Sequence, residues 1–525
     1  MTDALPVIAF LPEVLVLAGA LLVFLLDSFG VRRLEVLGGI AAGSTLLAII
    51  VVLADLRFAP LGALATLPTS AIDAAPTTTS LYAFSSLGLV FQGIFLTSAF
   101  LVALASLSRP SQERGAAVFF GLLLMATVGM LLVAIAADLI FLLLAIEVTG
   151  ISTYLMVGYT RRDPRGLEAA MKFYIIGALS TALSFFGASL LFGAFGGTSF
   201  VTLGQTEGAV AYSPLALLGY GFLLVGLGFK VTAVPFHMWA VDVYDGAPHD
   251  VTAFLAGGTK KIGIFAFFLV FIGPVVLFTS RATVCGGCTP FHFGPTLQMT
   301  LAVLAILTMT VGNVLALLQK EMKRMLAYSS ISQAGYMLIG IAIGTAPALA
   351  GATLQVFAHV FMKAGAFLVV AAVASLGVGP LIDDWRGLGV ARPGLGVSFA
   401  LMLLSLAGVP LTVGFVSKFV LFSAAVQSPQ HLFLWLAVLG LLNSALSVFY
   451  YARVLRVMFM EKPGPIVATA RLPSGESPSS FSGIGLGRTV AILLATAAIL
   501  VFGVDPQLVL GPIQSAASHF VLTGA

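Results

Sequence analysis

Polar residues are scarce along this chain and fall in short clusters between long apolar blocks. Apolar runs of about twenty residues, each long enough for an α-helix to cross a bilayer, lie near 7–26, 36–54, 86–107, 116–136, 139–159, 170–194, 214–242, 251–278, 296–318, 329–345, 350–378, 396–425, 432–459 and 488–509. The pattern therefore predicts fourteen membrane spans. The first has the length of a signal peptide, but it lacks a basic leading region and carries Asp3 and Glu13. With thirteen spans behind it, it is expected to be a retained helix.

Composition fits that pattern. Of the 525 residues 59% are hydrophobic and 9% charged, whereas a soluble domain has about 25% charged. The fold class expected is an all-α polytopic membrane protein. Its longest polar connections are 55–85 and 461–487, the second rich in Ser, Pro and Gly and the one loop expected to be disordered. No soluble domain fits in either, so any aqueous-phase chemistry belongs to a partner.

The basic residues set an orientation. Loops after odd-numbered spans hold 17 of the 25 Lys and Arg, those after even-numbered spans only Arg57 and Arg281. The positive-inside rule places the odd-numbered ends in the cytoplasm and both termini outside. The net charge of +4 is thus a topology signal and implies no nucleic-acid partner.

The middle of the chain can be laid on itself. Thr153-Tyr-Leu-Met-Val-Gly158 parallels Gly335-Tyr-Met-Leu-Ile-Gly340, Met171-Lys172 parallels Met362-Lys363, and Val234-Pro235 parallels Val409-Pro410. Spans 4–8 and 9–13 then form two five-helix units, and an odd number of crossings makes them inverted repeats. The division expected is 1–110 (spans 1–3), 111–280 (first repeat), 295–460 (second repeat) and 461–525 (loop and span 14). Pro235 and Pro410 sit in equivalent spans 7 and 12, where proline removes a backbone hydrogen bond and breaks or kinks the helix. Broken helices at membrane depth line enclosed, hydrated cavities. An ordinary kink would explain either proline alone, but Lys230 precedes one break and Lys418 follows the other.

Five lysines, Lys230, Lys260, Lys261, Lys363 and Lys418, fall inside the spans. An ionisable side chain at the bilayer centre costs about 2.5–3.5 kcal/mol even on lenient scales, so such residues mark charge pathways. Glu147, in the run FLLLAIEVTG, is the clearest buried carboxylate. About 4 Å from a lysine at an effective dielectric of about 20 it would contribute about 4 kcal/mol of attraction; the alternative is a helix-packing glutamate bonded to backbone or hydroxyls. Asp138 lies nearer a membrane face. Lys260 and Lys261 differ by about 100° around a helix, so one of them is expected to face a given pathway. His237 and His359 share the belt and could relay protons, or serve as hydrogen-bonded packing residues.

The segments EAAMKFYIIGALST, GFKVTAVPFHMWAVDVYDGAP, KRMLAYSSISQAGYML and GVPLTVGFVSKF resemble the proton-translocating antiporter-like subunits of respiratory complex I, and most closely the N-type subunit. The resemblance covers roughly 116–460. It implies that Glu147 is the family's fifth-helix glutamate and Lys230 the lysine of its broken seventh helix. Lys261 would be the eighth-helix lysine and Lys418 that of the broken twelfth. Lys172 matches the sixth-helix motif and His237 the VPFH histidine. A lysine at 418 differs from the M-type glutamate, and the chain ends too soon after span 14 for the long lateral helix of the L-type. Two features depart from the N-type pattern. His249-Asp250 follows DGAP, and HVFMKAGAF, with His359 and Lys363, is more typical of the L-type, M-type and Mrp-antiporter relatives.

There is no glycine-rich phosphate loop after a strand and no cysteine set for an iron–sulfur cluster, so no cofactor or metal is expected in this chain. Cys285 and Cys288 fall in an outer loop and are expected to be a structural disulfide or free thiols. The function expected is that of a proton-translocating subunit of a redox-driven NADH:quinone oxidoreductase in a prokaryotic inner (plasma) membrane. Its partners would be the bilayer, the other membrane subunits and, indirectly, a peripheral iron–sulfur arm. The alternatives are an Mrp-type Na+/H+ antiporter subunit, an M- or L-type subunit of a related complex, and a structural scaffold.

Overall fold

The computed structural model describes residues 9–58, 81–108, 115–160, 163–205, 213–272, 295–428, 431–464, 467, 481 and 483–523. Cys285, Cys288 and most of 461–487 lie outside them. The described chain is helical, with isolated β-bridges such as Asp138 to Ser199 and Glu321 to Leu381 as its only extended pairing.

Spans 1–6 are the helices α1 (Leu11–Ser28), α2 (Leu34–Phe58), α3 (Ser86–Ser106), α4 (Ala116–Ala134), α5 (Leu139–Val157) and α6 (Pro164–Phe195). Span 7 is split into α7 (Pro214–Val231) and α8 (Met238–Gly246). Then follow α9 (His249–Ile272), α10 (Pro295–Leu317), α11 (Met322–Ile343) and α12 (Ala346–Ser375). Span 12 is split into α13 (Pro393–Ala407) and α14 (Val413–Val426), and α15 (Leu434–Met460) and α16 (Leu486–Val504) make spans 13 and 14. Among the described residues thirteen helices are long and apolar enough to cross a membrane, or fourteen with the segment around Pro393–Ala407.

Local chemistry sets the ends. Asp138 caps α5 by accepting the N–H groups of Ile140 and Phe141 at 2.8 and 3.2 Å, and the Thr198 hydroxyl at 2.6 Å, a capping role at a span end. Asp163 caps α6, with Pro164 at the first helical position. The apolar run 488–509 passes through Asp505-Pro506, and there the structure departs from the expectation. Helix α16 stops at Val504, and a further helix, α17 (Gln507–Thr523), packs against α3 and α12. Pro506 has no N–H to continue the ladder, and the chain beyond it forms a separate 17-residue helix that itself carries Pro512 inside it.

Both breaks fall at the expected prolines. Helix α7 ends at Thr232 with φ 64° and the Val234–Pro235 peptide is cis. Helix α13 ends at Gly408 with φ 90°, and Leu411 has φ 69°. A positive φ favours glycine, and at 408 a Cβ would also come within 3.2 Å of Lys418 Cδ. Helices α9 and α12 stay continuous but carry wide π-turns at Leu255–Thr259, Phe268–Ile272 and Val360–Ala364. In α9, α11 and α12 94% of the apolar stretch is buried inside the protein, against 33% in α1, α2 and α6. These three helices are the interior, and the turns of α9 and α12 at 255–259 and 360–364 pack on each other there.

Candidate functional site

The half-buried Glu147 and Lys230 line one cavity of about 10 Å³ with Ser180, Thr181, Ser184 and Gly226, about the space of one water. The Thr181 hydroxyl donates to Glu147 Oε1 at 2.5 Å. Lys230 Nζ donates to the Tyr154 hydroxyl at 3.4 Å and lies 5.4 Å from that ring's centre. No direct contact within 4.0 Å joins carboxylate and ammonium, so the 4 Å pair expected from sequence is instead a pair separated across a small polar cavity. Glycines make the room: a Cβ at Gly150 would come within 3.0 Å of Lys230 Nζ, and one at Gly177 would collide with the Tyr154 hydroxyl.

Lys230 is in the last turn of α7, at the negative end of a half-helix, where a cation is favoured. The Phe229 carbonyl of that turn is capped across the break by Trp239 Nε1 at 3.1 Å. Thr308 accepts from the Val234 N–H at 3.0 Å.

Farther in, Lys260 donates to Ser330 Oγ at 2.9 Å and lies 5.4 Å from the centre of the Tyr244 ring. Lys261, fully buried, turns back to the Ala256 carbonyl of its own π-turn. Lys363, also fully buried, donates to Ser329 Oγ. His359 is buried with no partner on either ring nitrogen, and Lys260, Lys261 and Lys363 all lie within electrostatic reach of it. Lys260 and Lys261 are both interior, each with its own partner.

A second set of polar contacts on α11 leads to the second break. Gln333, one turn along α11, donates to the Leu406 carbonyl at 3.1 Å and accepts from Gln355 at 2.7 Å, and Ser417 donates to Gln355. Lys418 donates to the carbonyls of Leu406 and Ala407 at 2.8 and 3.2 Å and to Ser444 Oγ at 2.9 Å. It also stands 4.7 Å from the centre of the Tyr336 ring. Lys418 therefore caps the C-terminal end of α13. A cavity of about 340 Å³ runs from Lys418 and Ser444 along α14 to Ser423 and Gln427.

Lys172 lies away from this interior, and His237 stands at its edge within electrostatic reach of Lys260. Lys172, half-exposed, pairs with Glu168 at 2.9 Å and Asp242 at 3.1 Å, and Asp242 also pairs with Arg324 at 3.3 Å. This ionic cluster stands where α6, α8 and α11 meet at one end of the bundle. Lys323, buried beside it, caps α8 through the carbonyls of Asp245 and Ala247 at 2.6 and 2.8 Å. His237, half-buried, precedes α8 with Nδ1 unpartnered. His249-Asp250 opens α9, and Asp250 meets Arg488 of α16 at 3.6 Å with both side chains buried. That contact ties span 14 to span 8.

Two helices broken in mid-course, each with a lysine at the negative end of its first half, and further lysines between them define an antiporter-like ion-translocating membrane protein. The sequence comparisons agree. Residues 136–447 match the family described as NADH:quinone oxidoreductase/Mrp antiporter, TM, and the chain belongs to that family. It is 39% identical over 426 residues, 79% of this chain and 80% of the relative, to the F(420)H(2) dehydrogenase subunit N of Methanosarcina mazei. It is 37% identical to the NADH-quinone oxidoreductase subunit N of Trichlorobacter lovleyi, over 81% of this chain and 82% of that protein. Among solved structures, a chain of respiratory complex I from Thermus thermophilus with bound aureothin superposes with a TM-score of 0.72 at 28% identity, covering 95% of this chain and 98% of that one.

Proposed function

We propose that this chain is the N-type proton-translocating subunit of a redox-driven quinone oxidoreductase, placed in a prokaryotic inner membrane among other antiporter-like and small membrane subunits. The observation that carries the reading is a pair of polar links one helical turn apart on α11, from Lys363 to Ser329 and from Gln333 through the Leu406 carbonyl to Lys418. They bring buried lysines to successive turns of one interior helix, and buried polar groups so arranged are costly unless used.

Protons enter from the face marked by the Lys172, Asp242 and Arg324 cluster, which the positive-inside rule makes cytoplasmic. They load Lys230, whose affinity is governed by Glu147 across the small cavity. They pass by way of Lys261 and the His359–Lys363 belt to Lys418, and leave along the cavity beside α14. His237 and Lys172 serve the entry side. The two breaks belong to inverted repeats over 111–280 and 295–460. Electron transfer takes place in partner subunits, and this chain holds no redox centre of its own.

Two measurements test the reading. Mass spectrometry of the complex purified through this chain should find peripheral iron–sulfur subunits; small antiporter subunits in their place would make it an Mrp-type protein. Impermeant thiol labelling of Cys285 should succeed from outside intact cells, and labelling only from the cytoplasm would reverse the proposed direction.

A further inference from the structure

A further buried acid stands outside the pathway and outside the family match, in the N-terminal helices. Glu13, one turn into α1, is 5% exposed, and Gln92 of α3 is fully buried. Gln92 Nε2 donates to Glu13 Oε1 at 2.6 Å. The other head atoms of the two side chains, Glu13 Oε2 and Gln92 Oε1, are both buried without any hydrogen-bond partner. An ionised carboxylate only accepts, and a carboxamide oxygen only accepts, so an ionised Glu13 leaves two acceptors orphaned at one contact. A single proton on Glu13 Oε2 makes it a donor, and the orphaned acceptor on the same pair of heads is Gln92 Oε1. Native structures rarely leave buried polar atoms unpaired, and an unpaired charge in an apolar core is far costlier than a neutral acid.

Among the described side chains of the helices packed on it, none provides a counter-charge. Helix α1 packs on α2 and α4. Neither α3 nor α4 carries a charged residue. The charged group of α2 that bears on Glu13 is the half-buried Asp55, of the same sign. From these contacts we infer that Glu13 is a further proton-binding site of the protein, outside the pathway, a neutral carboxylic acid paired reciprocally with the Gln92 carboxamide, with Asp55 as its acidic neighbour.

Such a site has a chemical signature. A neutral acid buried among apolar helices adds to a membrane-soluble carbodiimide. Its proton goes to one nitrogen and its oxygen to the central carbon, and the acyl group then migrates to the second nitrogen with no atom lost. An ionised carboxylate brings no proton to that addition.

Infrared spectroscopy of the intact complex at neutral pH is the direct test. The wild type should show a protonated-acid C=O band, shifted in D2O, that is missing from Glu13→Gln. Glu13→Gln should itself assemble and keep quinone-coupled turnover within about twofold, because a carboxamide reproduces both hydrogen bonds. In parallel, membranes of the unmodified protein treated with dicyclohexylcarbodiimide should yield the adduct on Glu13 and none on Asp55. Identical acid bands in wild type and Glu13→Gln would overturn the inference. So would an adduct on Asp55 with Glu13 untouched, which covers the case in which the variant fails to assemble. Neither readout depends on proton pumping, so failure here and failure of the proposed function are separable.

Discussion

The two broken helices use the same device in opposite ways. At the first break the exposed carbonyl of α7, that of Phe229, is capped by a neutral indole, and Lys230 is left to face Tyr154 and the cavity it shares with Glu147. At the second break the lysine itself is the cap, since Lys418 binds the last carbonyls of α13. A cation held by fixed backbone dipoles sits in a constant field. A cation facing a carboxylate across one water's width sits in a field that changes whenever the carboxylate moves or is neutralised. The first break is therefore built to be switched and the second to receive. The contacts beyond agree. Lys418 is joined to the interior through Gln333 and Leu406, whereas the hydrogen bond of Lys230 ends at the Tyr154 hydroxyl.

The largest expected effect comes from removing the switch. Opposite charges roughly 6 Å apart, the span of one bridging water, attract by about 3 kcal/mol at an effective dielectric of about 20. Glu147→Gln and Lys230→Ala should each lower quinone-coupled proton pumping by about tenfold or more in assembled complexes. Glu147→Asp should retain part of it. The double variant should be little worse than either single, because residues acting as a unit are not additive. Losses that multiply in the double variant would show the two acting independently and remove the contrast between the breaks.

Next in size is Gln333→Leu, which cuts the line of contacts on the second side and orphans the Gln355 amide. An orphaned buried donor costs about 1–3 kcal/mol, so a modest fall in melting temperature should accompany a several-fold loss of pumping. A variant that pumps normally would mean that protons do not travel beside Leu406. Smaller again is the difference between neighbours: Lys261→Ala should impair pumping more than Lys260→Ala. Lys261 is tied only to a carbonyl of its own wide turn and can reorient, whereas Lys260 is held by Ser330 and the Tyr244 ring. Equal losses, read as proton uptake in inverted vesicles, would assign the relay to both.

Much of this was legible in the sequence because a bilayer leaves few choices. Twenty apolar residues must become a helix, so the spans, the breaks at Pro235 and Pro410 and the interior lysines could be read directly. The partners of those lysines could not. Tyr154, Thr181, Ser329, Gln333 and Gln355 are residue types that transmembrane helices also use for ordinary packing, and only the fold shows which of them meet an ammonium. The spacing of Ser180, Thr181 and Ser184 on one side of α6 is the one signal that could have pointed to the hydroxyl that meets Glu147. The wide turn at Gly257-Gly258 gives no periodic sign, and a Cβ at either glycine would crowd the Ser98 hydroxyl. Arg488 counts as a loop residue by position, yet it is buried against Asp250, because its partner lies 238 positions earlier in the chain.

The smallest predicted effect is also the sharpest probe of the comparison. Trp239→Phe removes the indole N–H that caps the Phe229 carbonyl. It keeps an aromatic ring stacked on Phe173, where the centroids are now 4.5 Å apart. A single neutral hydrogen bond contributes about 0.5–1.5 kcal/mol net, so the melting temperature should fall by a few degrees at most. That carbonyl still accepts from the Thr232 N–H at 3.0 Å, but it regains an open lone pair one residue from Lys230 and is the same kind of acceptor that holds Lys418 at the other break. If it draws the ammonium away from the cavity, the first break comes to resemble the second. Pumping should then lose part of its dependence on Glu147, so that Glu147→Gln costs less in the Trp239→Phe background than in the wild type. A Glu147→Gln loss of the same size in both backgrounds would mean that the indole cap is only structural, and that the two breaks differ for a reason other than who caps the half-helix.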